Sequence, residues 1–106
     1  MTKSIDARTA NSWLQSDEAI IIDVREPGEH ALIHIPGSTL IPVGAIENGK
    51  LPSLDGRKLI IHCMMGKRGG AACEKLLSGN PDLEVYNLEG GILAWQDAGF
   101  KVVKAN

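Results

Sequence analysis

Apolar residues follow two periods along the chain. Ala10, Trp13 and Leu14 recur at helical spacing behind Asp6, which predicts a capped helix over residues 7–15. Residues 19–24 (Ala-Ile-Ile-Ile-Asp-Val) form an almost unbroken apolar run, as do residues 58–63 (Lys-Leu-Ile-Ile-His-Cys). Such runs read as strands covered on both faces, the pattern of a parallel sheet. Arg25-Glu26-Pro27-Gly28 ends the first run, and Pro27 suits the first turn of a short helix through Leu32. A turn at Ile35-Pro36-Gly37 leads to a short strand over 39–43, and residues 44–57 read as loop with one helical turn. Loop and then helix are predicted over 66–78, a strand over 84–88, a helix over 91–98 stopped by Gly99, and an edge strand at Val102-Val103.

Strands alternating with helices imply βαβ units, a mainly parallel sheet and helices on both faces. The expected architecture is α/β and three-layered, with about five strands in the central sheet. Ligands of such folds sit at the C-terminal ends of the strands. That rule points at the residues after Val24 and after His62.

The length of 106 residues suits a single domain over 1–106, large enough to bury a core without staples. A net charge of -2 does not suggest nucleic acid or an anionic membrane as a partner. No apolar run approaches the length of a membrane span, and the N-terminus lacks the apolar stretch of a secretory signal. Only Cys63 and Cys73 are present, with no CxxC spacing, which points to free thiols in a reducing, cytoplasmic setting. The charge distribution says more than the sum. Arg57, Lys58, Lys67 and Arg68 lie in a stretch, 57–73, that contains no Asp or Glu. A local positive spot on an acidic chain suits a small anionic ligand.

The stretch His62-Cys63-Met64-Met65-Gly66-Lys67-Arg68-Gly69-Gly70 places a cysteine where a strand ends, then three glycines and two cations, then a helix. A helix N-terminus offers unpaired N–H groups and a positive partial charge. Glycines let several N–H groups turn towards one spot. Such settings hold a cysteine as thiolate, the nucleophilic form. Cys63 is therefore expected to be a nucleophile that alkylates readily. Cys73 shares a helix face with Leu76 and Leu77 and is expected to be packed and inert. His62 should face away from Cys63, because neighbours in a strand point to opposite faces. It reads as a core or supporting residue. Asp23 and Arg25 read as an ion pair that fixes loops. Trp95 reads as a core anchor, and Met64 and Met65 as an adaptable apolar tip. No zinc-like spacing links His34, His62, Cys63 and Cys73, so no metal and no other cofactor is expected.

Four motifs, in this order and spacing, resemble the rhodanese-like family. They are Asp23-Val24-Arg25-Glu26, His34-Ile35-Pro36-Gly37-Ser38, Cys63-Met64-Met65-Gly66-Lys67-Arg68 and Glu89-Gly90-Gly91-Ile92-Leu93-Ala94-Trp95. The resemblance implies the rhodanese-like fold and a sulfurtransferase, in which Cys63 takes sulfane sulfur from an anionic donor such as thiosulfate. Cys63 would become a persulfide and pass the sulfur to a thiol or protein thiol. It also implies that backbone amides of Met64, Met65, Gly66, Lys67, Arg68 and Gly69 cradle the sulfur or the donor, with Lys67 and Arg68 attracting the anion. Related phosphatases and arsenate reductases carry a loop one residue longer, for a tetrahedral oxyanion. The six residues from Cys63 to Arg68 favour sulfur. A third possibility is an interaction module, although such modules usually lose the cysteine. Two departures stand out: Gly69 where a Ser or Thr is frequent, which removes a hydroxyl from the cradle, and Ser38 in place of the more usual Ala.

Overall fold

The computed structural model of the protein describes residues 2–105. In chain order the elements are β1 (Lys3–Ile5), α1 (Ala7–Gln15), β2 (Ala19–Asp23), α2 (Pro27–Leu32), β3 (Ile33–His34) and β4 (Thr39–Leu40). A 3-10 turn (Asn48–Lys50) follows, then β5 (Lys58–His62), α3 (Lys67–Gly79), β6 (Val85–Leu88), α4 (Gly91–Asp97) and β7 (Val103–Lys104). The central sheet has five strands in the order β1-β6-β5-β2-β4, and every pair is parallel. At its centre β2 and β5 run in register from Ala19 opposite Lys58 to Asp23 opposite His62.

Strand alternation sorts the core into two layers. Ile22, Val24, Leu59, Ile61 and Cys63 pack on one face with Ala72, Cys73 and Leu76 of α3. Ile21 and Ile60 pack on the other with Ala7 and Ala10 of α1 and Ile92 and Trp95 of α4. Each fully buried aliphatic side chain contributes about 1.5–3 kcal/mol. That is why the two apolar runs, covered on both sides, fix the middle of the sheet.

Five central strands are present as expected, but their membership differs. The edge strand expected at Val102-Val103 forms as β7, but it pairs antiparallel with β3 in a separate two-stranded ribbon and does not join the central sheet. The fifth position is taken by β1, a three-residue edge strand with only Ile5 partly buried, too short and too polar to leave an apolar signature. The strand expected over 39–43 shortens to Thr39–Leu40, though Ile41 and Val43 still donate to Asp23 and Val24. The Asp6 cap forms, with its carboxylate accepting from Thr9 N–H at 2.7 Å. No helix among the described residues is long and apolar enough to cross a membrane.

Candidate active site at the C-terminal edge of the sheet

The loops that leave β2, β5 and β6 meet at one edge. Cys63 follows β5 directly and is 1% exposed, with its sulfur against the α3 side of the core. Gly66 N–H donates to Cys63 Sγ at 3.0 Å. Gly66 itself has φ +112°, a left-handed conformation that glycine adopts freely. It is the residue from which α3 starts, so the sulfur lies at the positive end of a 13-residue helix. Among the described residues, the first-turn amides of Lys67, Arg68 and Gly69 have no acceptor. The ring of amides expected around the sulfur is thus met at the thiol by Gly66 alone.

The carbonyls of the loop are held from the opposite side. Ile92 N–H donates to Cys63 O at 2.9 Å and Leu93 N–H to Met64 O at 3.2 Å, so the first turn of α4 docks on the cysteine backbone. This approach requires Gly91, at φ +60°, because a β-carbon there would stand 2.4 to 2.5 Å from the Met64 and Cys63 carbonyl oxygens. Met64 and Met65 are exposed at the loop tip, next to exposed Leu93.

The two cations separate. Lys67 is exposed and makes no ion pair among the described residues. Arg68 is bound by both carboxylate oxygens of Glu29 of α2, at 2.7 and 3.0 Å. The Arg68 hydrogen bonds hold the Glu29 carboxyl down at about 2, so the pair is ionised throughout the neutral range. Arg68 is therefore positioned and charge-compensated rather than free. Gly69 is buried, and Asn87 of β6 fills the space beside it.

Asp23, Arg25 and His62 form the floor beneath these loops. Arg25 is 1% exposed and forks onto Asp23 through Nε at 3.0 Å and a terminal nitrogen at 2.9 Å. The same terminal nitrogen donates to Ile33 O at 2.6 Å, and His30 Nδ1 lies 2.9 Å from Asp23 Oδ2. Burial alone would raise the Asp23 carboxyl, but the hydrogen bonds from Arg25 and His30 and the nearby His62 together outweigh it and keep Asp23 below the usual range. His62 lies on the Asp23 side of the sheet, with Nε2 3.8 Å from Asp23 Oδ2 and otherwise unpartnered among the described residues. Burial pushes its imidazole down to about 4, so it is neutral at pH 7. Among the described residues neither ring nitrogen bonds the Cys63 sulfur; Nδ1 is 3.4 Å from the Cys63 carbonyl oxygen. Cys73 is wholly buried, and burial lifts its thiol to about 12, which makes it a packing residue. Trp95 is buried and donates to Lys101 O at 2.7 Å. Among the described residues no group of three or more His, Cys, Asp or Glu is placed to hold a metal ion.

Glu29, His30 and Asn87 belong to this edge and were not singled out from sequence, and Gly91 was named only as part of a motif. The Gly90-Gly91 pair was the one available signal, since consecutive glycines at a strand-to-helix junction mark a close backbone approach.

Residues 5–98 match the rhodanese-like domain. The chain belongs to the rhodanese-like family. This rhodanese-like chain is 34% identical over 101 residues to an uncharacterised protein of Synechocystis, covering 95% of itself and 56% of that protein. It thus spans about half the length of that relative. A sulfurtransferase of Allochromatium vinosum is 30% identical over 104 residues, which cover 97% of this chain and 96% of the relative. The crystal structure of a rhodanese-related protein from Thermoplasma volcanium superposes with a TM-score of 0.80 at 31% identity, covering 95% of this chain and 97% of that one.

Proposed function

We propose that this rhodanese-like domain is a sulfurtransferase that carries sulfane sulfur as a Cys63 persulfide. The observation that carries this reading is the Gly66 N–H on Cys63 Sγ at the N-terminus of α3, beneath first-turn amides that have no acceptor among the described residues. In the first step the Cys63 thiolate attacks the sulfane sulfur of thiosulfate. The thiosulfate S–S bond breaks and sulfite leaves with the electron pair. In the second step an acceptor thiolate attacks the outer sulfur of the Cys63 persulfide. The acceptor leaves as a persulfide and the Cys63 thiolate is restored, so no external oxidant is consumed.

The unengaged amides of Lys67, Arg68 and Gly69 suit the negative charge of the persulfide and of the sulfonate end of the donor. Lys67, exposed and without an ion pair among the described residues, supplies a cation that draws the donor in. Arg68, oriented by Glu29, would contribute a directed donor rather than a free charge. Exposed Met64 and Met65 follow Cys63 in the loop, with exposed Leu93 bonded to the Met64 carbonyl, and suit a thiol carried on an apolar surface, as a protein acceptor would offer. The six residues from Cys63 to Arg68, one fewer than the loop of the related phosphatases, support sulfur over a phosphate-like substrate.

The test is mass spectrometry after incubation with thiosulfate. Wild type should gain one sulfur atom, reversed by a small thiol, and Cys63→Ala should gain none. Absence of the gain in wild type across several sulfane donors, or an equal gain in Cys63→Ala, refutes the reading.

A further inference from the structure

The glycines of the Cys63 loop are arranged around one side chain. A β-carbon at Gly69 would stand 2.2 Å from Asn87 Oδ1 and 3.3 Å from its Cγ. β-carbons at Gly66 and at Gly70 would each stand 3.7 Å from Asn87 Nδ2. Asn87 lies on β6 and is 8% exposed. Its Nδ2 donates to Gly66 O at 2.9 Å, the same carbonyl that accepts the first helical bond of α3 from Gly70 N–H at 3.0 Å.

Gly66 is therefore held at both of its polar groups. Its carbonyl is clamped by Asn87 and by the helix, and its N–H points at the Cys63 sulfur. The Asn87 amide has one sensible orientation, because turning it over would set Oδ1 against the Gly66 carbonyl oxygen. In that orientation Oδ1 is buried with no partner among the described residues. An orphaned buried acceptor is costly, and an apolar side chain of similar size would avoid it. Asparagine at this position makes sense through its donor.

We propose that Asn87 is the positioning residue of the Cys63 loop. Its Nδ2 fixes Gly66 in the left-handed conformation that aims the Gly66 N–H at the sulfur. Residue 69 has no side chain because the Asn87 amide occupies that space. The inference builds on the reading of Cys63 as the reactive sulfur, but its mechanics are independent of the sulfur donor.

Two variants approach the contact from opposite sides. Asn87→Ala removes the donor, and Gly69→Ala pushes the amide off Gly66. The first readout is the rate of Cys63 carbamidomethylation by iodoacetamide across pH, followed by mass spectrometry. Losing the aimed N–H destabilises the thiolate, so the midpoint of this profile should move to higher pH in both variants. Looser packing alone would change the high-pH plateau and leave the midpoint in place. The second readout is persulfide formation from thiosulfate at pH 7, which should fall roughly tenfold, the worth of one net hydrogen bond. The double variant should be little worse than Asn87→Ala alone, since both changes break one contact. A wild-type midpoint in either folded variant, or losses that simply add in the double, overturns the proposal. If wild type gains no sulfur while the alkylation midpoints move as stated, the sulfurtransferase reading fails and the positioning role stands.

Discussion

Lowering the pH from 6.5 to about 4 should cost the fold about 3 kcal/mol through His62, the interval over which its folded imidazole resists protonation. The perturbation acts on a side chain with 0% exposure at the end of β5. In the unfolded chain His62 takes up a proton near pH 6.5, while in the fold it stays neutral down to about 4 because burial penalises the cation. The unfolded state therefore binds more protons throughout this window, and stability rises with pH across it. The contribution is fully present above pH 6.5 and is lost as pH falls through it to about 4. At about 1.4 kcal/mol per unit the span amounts to about 3 kcal/mol, or roughly 12 °C in Tm for a domain of this size. The reference is His62→Phe, which keeps a ring at this position and forgoes a long 3.4 Å contact to the Cys63 carbonyl and the 3.8 Å approach of Nε2 to Asp23. Urea unfolding of both proteins at pH 7, 6, 5 and 4 gives the difference directly. Glu29 also loses stabilising charge on acidification, between 4.5 and about 2, but equally in both proteins. The wild type should lose about 3 kcal/mol more than the variant over the series. Parallel pH dependences for the two proteins would refute the neutral, buried imidazole.

Gly91→Ala should destabilise the domain by about 3 kcal/mol or more, measured by chemical denaturation. Its β-carbon would meet two backbone carbonyl oxygens at 2.4 to 2.5 Å, and neither can move without undoing the α4 contact. Cys73, fully buried with its thiol lifted to about 12, should resist iodoacetamide in the native protein and react only once urea unfolds it. Peptide mapping that found Cys73 modified natively at the rate of Cys63 would contradict its place in the core.

The middle of the sheet was legible because β2 and β5 are covered on both faces and must be apolar at nearly every position. Asp6, Pro27 and Gly99 marked helix ends through capping chemistry that is local to the chain. The edges were legible only in part: β4 was expected, whereas β1 and the partner of β7 were not. β1 and β7 are two or three residues long, and their pairing depends on which neighbour the fold brings alongside. The cysteine loop could be located because its glycines and cations are contiguous. Its wiring could not. Glu29 reaches Arg68 across 39 residues and Asn87 reaches Gly66 across 21, and nothing along the chain announces either partner. Lys67 and Arg68, adjacent in sequence and identical in charge, differ in role only because one of them meets a carboxylate.

The depth of the Cys63 sulfur bears on who can react with it. At 1% exposure the empty thiol offers bulky electrophiles almost no purchase. If Cys63 carries a persulfide, the sulfur–sulfur bond of about 2 Å would set the reactive atom that much farther from the Cys63 backbone. Cargo and carrier would then have different reach: a large acceptor would touch the site when it is charged and pass over it when it is spent.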